Sequence, residues 1–175
     1  MNRVIKTLLI SMIVLSSGYA MSGVTFPYFS DTEMSAETTI TAGTWGSPPD
    51  VSDAHPSISC LWPPNHKFVN ISIDGVLDPD GGVVKINITS ITSDEPTDGC
   101  GDGTFAPDAR GIGTDIASLR AERSGTGNGR VYRINFTASD GVDEDAEGNV
   151  TVCVPHDQRD NCTCVDDGQI YDATI

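Results

Sequence analysis

Carboxylates supply most of the groups in this chain that could do chemistry. Asp140, Asp143, Asp145 and Glu147 crowd into one Gly-containing run, residues 140–149. Carboxylates so closely spaced suit Ca²⁺, a hard cation that takes six or more oxygen ligands. A solvated acidic turn with no ion fits the same run. Asp78-Pro79-Asp80-Gly81-Gly82 offers a shorter version. It lacks the acidic ligand further along that a calcium loop needs, so an acidic turn is expected there. Calcium is thus the one cofactor the sequence brings into consideration.

Catalytic sets are harder to assemble. His55 and His156 flank the apolar-rich region, and His66 follows Pro63-Pro64-Asn65. A histidine base needs a positioned nucleophile and an orienting group, and no motif here supplies them. Asp94 and Glu95 could suggest a glycosidase pair, but adjacent strand residues point to opposite faces. The Gly-rich run 124–129 lacks the Lys-Ser/Thr of a phosphate loop. No enzyme is expected. Arg120, Arg123, Arg130 and Arg133 surround that run. They suit pairing with Glu122, Asp94 or Glu95, or else a basic patch for an anionic polysaccharide. Trp62 reads as a packing anchor over the open end of the fold; an exposed Trp would instead stack a sugar.

Two residue types speak of the compartment. Cys60, Cys100, Cys153, Cys162 and Cys164 make disulfides with one thiol left over the default in an exported domain. A bridge from Cys60 to Cys100 or Cys153 is expected, with Cys162 and Cys164 serving the tail. No CxxC pair offers a zinc site. Five of the eight asparagines, Asn70, Asn87, Asn135, Asn149 and Asn161, sit in Asn-x-Ser/Thr. With Ser and Thr at about a fifth of the chain, chance predicts roughly one or two. Either N-glycans or the strand preference of Thr accounts for the excess.

The elements that must position these groups follow from periodicity. Val69, Ile71 and Ile73 alternate with polar neighbours, as do Val84, Ile86 and Ile88. Tyr132, Ile134, Phe136 and Ala138 do the same, and so do Val150, Val152 and Val154. Period two marks half-buried strands. Residues 124–129 are expected to close a hairpin between 118–123 and 130–139. No helical period is sustained. About a hundred residues with seven or so short strands make an antiparallel all-β sandwich the expected fold class.

The chain opens differently. Arg3 and Lys6 precede an uncharged apolar block with Leu8, Leu9, Ile10, Met12, Ile13, Val14 and Leu15. Small residues follow at Ser16, Ser17, Gly18 and Ala20, the layout of a secretory signal. The uncharged stretch runs on to Phe29, so an uncleaved anchor helix is the alternative. Without Arg3 and Lys6, 8 basic residues face 25 acidic ones, a net charge of −17. Such a surface repels nucleic acid and anionic lipid.

Tyr28-Phe29-Ser30-Asp31-Thr32-Glu33 and Thr41-Ala42-Gly43-Thr44 carry a resemblance. This region resembles the signal and start of exported proteins related to TasA and camelysin. Pro27 departs from that pattern, where a small residue usually precedes the cut. A second resemblance rests on Ser59-Cys60-Leu61-Trp62-Pro63-Pro64-Asn65-His66-Lys67, Thr92-Ser93-Asp94-Glu95-Pro96, the segment from Arg120-Ala121-Glu122-Arg123 through Ser124-Gly125-Thr126-Gly127-Asn128-Gly129 to Arg130-Val131-Tyr132, and Val154-Pro155-His156-Asp157. These segments are similar to an immunoglobulin-like module of secreted bacterial and archaeal proteins, akin to hyalin repeats. The resemblance implies a spacer, adhesive or surface-layer role.

The expected organisation is therefore a signal or anchor at 1–27, an export segment and linker at 28–57, an immunoglobulin-like β-sandwich at 58–156 and a flexible acidic tail at 157–175. The expected function is a non-enzymatic, secreted or cell-surface structural or adhesion protein of the envelope or extracellular matrix. A calcium- or carbohydrate-binding adhesion module and a matrix-fibre subunit are the alternatives. Its partners are expected among polysaccharides or proteins of that layer. A membrane enters only through an uncleaved anchor.

Overall fold

A computed structural model describes residues 46–99, 101–103, 105–157 and 162–175. The export region, Cys100 and Asn161 lie outside the described residues. Those from 46 onward belong to one compact unit. It holds eight strands: β1 (His55–Pro56), β2 (Phe68–Asp74), β3 (Lys85–Ser93), β4 (Ala109–Arg110), β5 (Ile116–Arg120), β6 (Gly129–Ser139), β7 (Ala146–Pro155) and β8 (Tyr171–Asp172). They form two four-stranded sheets, ordered β1-β2-β5-β4 and β7-β6-β3-β8, and every strand pair is antiparallel.

Alternation explains the core. Ile71 and Ile73 on β2, with Ala117 and Leu119 on β5, are buried from the first sheet. Tyr132, Ile134, Phe136 and Ala138 on β6, and Val150, Val152 and Val154 on β7, are buried from the second. All belong to one apolar cluster, so the two sheets share a single core. On β3 the period breaks. A bulge between Ile88 and Ser90 lets both Ile88 and Ile91 point inward, three residues apart.

Four expectations change. Residues 124–129 close no hairpin: β5 pairs with β2 and β4, while β6 pairs with β3 and β7, so this run carries the chain between sheets. The linker expected up to residue 57 is built in from at least residue 50. Asp50 and Leu77 exchange backbone hydrogen bonds of 2.7 and 3.1 Å, Pro49 is buried, and β1 pairs with β2. The chain then crosses to the other sheet, where Leu61 N donates to Cys153 O at 2.8 Å and Cys153 N donates to Ser59 O at 2.9 Å.

The tail, expected as a flexible extension, is docked from residue 162 onward. Its strand β8 pairs with β3, Thr92 opposite Asp172 and Ser93 opposite Tyr171. Ala173 is fully buried; its N–H donates to Ile91 O on β3, and its carbonyl accepts from Asp108 and Ala109 N–H beside β4. A single small residue thus stitches one sheet to the other. The bridges differ as well. Cys60 pairs with Cys162 and Cys153 with Cys164, so both tie the tail to the strands. The sequence hid this because the tail lacks an apolar stripe; backbone pairing and covalent ties hold it instead.

Candidate functional site

Charged side chains collect at one end of the fold. The turn before β2, the 94–108 loop, the 121–128 crossover and the start of β6 all meet there. Arg130, the first inward-facing side chain of β6, is fully buried at the centre. Its Nη1 donates to Asp108 Oδ2 and, at 3.0 Å, to the Tyr132 hydroxyl. Its Nη2 donates to Pro96 O at 2.8 Å, and its Nε lies 3.4 Å from Glu95 Oε2. Asp102, also fully buried, approaches Nη2 at 3.9 Å.

A second guanidinium extends the lattice. Arg120 Nε lies 3.3 Å from Asp108 Oδ1 and 3.7 Å from Glu122 Oε2. Its Nη atoms donate to His66 O and Pro107 O. The same guanidinium covers the Phe68 ring at 4.4 Å and the Phe105 ring at 5.5 Å. His66 closes the edge, with Nδ1 2.9 Å from Glu122 Oε2. Glu95 Oε2 accepts from Ser124 N at 2.6 Å, and Asp94 Oδ1 accepts from Val131 N at 2.8 Å. Arg123 donates to the carbonyls of Ser124 and His156, tying in the end of β7.

The electrostatics follow from numbers of charges. Asp94, Glu95, Asp102, Asp108 and Glu122 are all buried, against one buried Arg130 and the mostly buried Arg120. Desolvation raises the pKa of Asp94, Asp108 and Glu122 above the usual carboxylate range. Arginine and hydrogen-bond partners oppose that rise without cancelling it. Desolvation works against the Arg130 charge, but Tyr132 and Asp108 outweigh it and push the Arg130 pKa up. Burial likewise raises the Tyr132 phenol. Removing one partner of such a buried pair costs far more than the pair gains over well-packed apolar residues.

The sequence-predicted site residues fall elsewhere. Asp140 Oδ1 accepts from Val142 N at 2.9 Å and Asp143 N at 3.0 Å, capping the β6–β7 turn. Asp145 is exposed, and Glu147 is exposed on β7. Asp143 instead feels Asp140 and, from the β2–β3 loop, Asp80; after desolvation these like charges raise its pKa. Asp80 Oδ2 accepts from Ser47 N at 2.6 Å. Among the described residues no group of three or more His, Cys, Asp or Glu is arranged to hold a metal ion.

Asn70, Asn87 and Asn149 are exposed on β2, β3 and β7. Asn135 is half-buried on β6, opposite Asn149, and its amide donates to Ser90 Oγ at 2.8 Å. Trp62 is not the anchor expected: it is 40% exposed, and its neighbour Leu61, at 3%, fills the core. Asp102 and Asp108 escaped the sequence reading because nothing in their spacing marks them as partners of Arg130. Of the arginines, Arg133 pairs with Asp166 of the tail at 2.9 Å. Comparison with protein-family models, with curated proteins and with solved structures finds no match to this chain.

Proposed function

We propose that this chain is a secreted or surface-attached immunoglobulin-like module that presents a durable surface in the cell envelope or extracellular matrix, without catalysing a reaction. The observation that carries this is the double covalent closure of the tail. Cys60–Cys162 and Cys153–Cys164 lock the last strand against the sheets. Structural disulfides belong to oxidising compartments. Residues 55–61 pair first with β2 and then with β7, a switch between sheets that supports an immunoglobulin-like path. At the lattice, the Arg130 guanidinium is committed to Asp108, Tyr132 and the Pro96 carbonyl, which favours a structural role for that end.

The test is location and redox state in the producing cell. Protease treatment of intact cells should cleave the protein, and the envelope or matrix fraction should contain it with both bridges formed. A protein that stays protected inside the cell, with its thiols reduced, overturns the proposal.

A second reading, a carbohydrate-binding adhesion module, is favoured by the exposure of Trp62. Calorimetric titration with oligosaccharides separates the two.

A further inference from the structure

Beside Trp62 lies a groove of about 290 Å³. Ile58, Trp62, Pro63, Asn65, Lys67 and Phe68 contribute to its walls. We propose that this groove binds an acidic sugar, a uronate unit of an anionic polysaccharide. The proposal rests on the surface placement above, and names what the module would hold there.

Three features select that class of ligand. Trp62 offers an aromatic platform that is 40% exposed, whereas two guanidiniums, Arg110 and Arg120, already cover Phe68 at 4.4 Å each. An indole face packs against the C–H face of a sugar ring, combining apolar burial with a fixed orientation. Two side chains of the groove carry donors for a carboxylate. Asn65 Oδ1 accepts from Lys67 N at 3.0 Å, which fixes the amide, and the Asn65 N–H₂ and the Lys67 ammonium are donors suited to an anion. Finally, among the described residues no carboxylate lines the groove, in a chain with 25 acidic residues.

The overall negative charge does not decide the matter. At physiological ionic strength the screening length is about 8 Å. Charges beyond that distance act weakly on a bound carboxylate, and Lys67 lies within the site. A neutral sugar would gain the Trp62 contact and leave the ammonium unpaired.

The experiment uses the mature chain with both disulfides intact. Oligogalacturonate is the acidic probe and cello-oligosaccharide of equal length the neutral one, both followed by calorimetry. A Trp45→Phe background makes Trp62 the sole tryptophan and its emission a local reporter. Expected are oligogalacturonate binding, a shift in Trp62 emission, and about tenfold or weaker binding of the neutral probe. Trp62→Ala should weaken binding about tenfold or more. Lys67→Glu, at an exposed position that keeps the fold, should weaken the acidic probe and spare the neutral one. Absence of oligogalacturonate binding overturns the proposal. So does equal affinity for both probes, or binding that Lys67→Glu leaves unchanged. A surface-located chain that binds no uronate defeats only this groove; an intracellular chain defeats the placement whatever the groove binds.

Discussion

His66 Nδ1 lies 2.9 Å from Glu122 Oε2, joining the turn before β2 to the crossover after β5. The two residues are 56 apart in sequence. His66 holds a left-handed backbone, φ 62°, which a residue with a side chain adopts at a cost of about 1–3 kcal/mol. The Glu122 contact and the Phe105 ring, 5.1 Å away, hold it there. The pair lies at the edge of the lattice around Arg120 and Arg130, where the His66 ring is half-exposed.

That lattice makes stability depend on pH in an unusual direction. A carboxylate with a raised folded pKa lets the folded state bind protons that the unfolded state has released. For Asp108 and Glu122 the resulting stability is fully present below their ordinary values, 3.8 and 4.5, and is lost as pH rises through the raised values. Asp50, Asp140, Asp166 and Asp172 run the other way; hydrogen bonds hold them low. Their contribution holds above 3.8 and disappears as pH falls through the lowered values. Thermal unfolding should therefore peak at about pH 4–5, a few degrees above its midpoint at pH 7. Glu122→Gln should flatten the slope between those points. A melting temperature that drops steadily from pH 7 to pH 5 contradicts this assignment.

Arg130 should be the most sensitive position of the lattice. Replacing it by Met leaves Asp108 buried without its main partner, which should cost about 3–5 kcal/mol in urea unfolding. Adding Asp108→Leu removes the orphaned charge and should recover part of that loss. The two changes should couple by at least about 1 kcal/mol, whereas strictly additive effects would mean that the pair is not energetically joined.

The strands were legible because a period of two is a local property. Ile71, Val152 and Phe136 announce their inward face without reference to any partner. What escaped depends on distant segments meeting. Residues 118–123 and 130–139 look like hairpin arms, yet Tyr132 joins a different sheet from Leu119. Asp143 looked tied to Asp145 and Glu147 because spacing was counted along the chain; in space its acidic neighbours are Asp140 and Asp80. Leu61 and Trp62 show the same limit: one of two adjacent apolar residues fills the core, and sequence does not say which. Asp102 and Asp108 meet Arg130 only through the fold, and no local pattern marks them.

Gly148 leaves room for a core ring. It lies opposite Phe136 across the β6–β7 ladder, and a Cβ placed there would sit 2.4 Å from the Phe136 ring tip. The ring is buried and has little room to withdraw. Gly148→Ala should destabilise by about 1–3 kcal/mol through overpacking. In a Phe136→Leu background the same change should cost less than about 1 kcal/mol, because the clashing atom is gone. An unchanged unfolding midpoint for the single variant would place the ring elsewhere.

The two disulfides should differ in worth although they tie down the same tail. Cys60–Cys162 closes 102 residues and Cys153–Cys164 closes 11. If a bridge acts chiefly by restricting the unfolded chain, the larger loop stabilises more, about 4.7 against about 3 kcal/mol for loops near 100 and 15 residues. Replacing Cys60 and Cys162 by Ala should thus lower unfolding free energy by about 1–2 kcal/mol more than replacing Cys153 and Cys164. Amide exchange at Ala173, whose N–H bonds to Ile91 O, reports whether β8 stays docked. With either bridge alone, that amide should remain protected, because one covalent tie suffices to keep the strand near β3. Removing both should expose it before the core opens. Loss of protection on removing only the short bridge would mean that local positioning, not chain entropy, is what Cys153–Cys164 contributes.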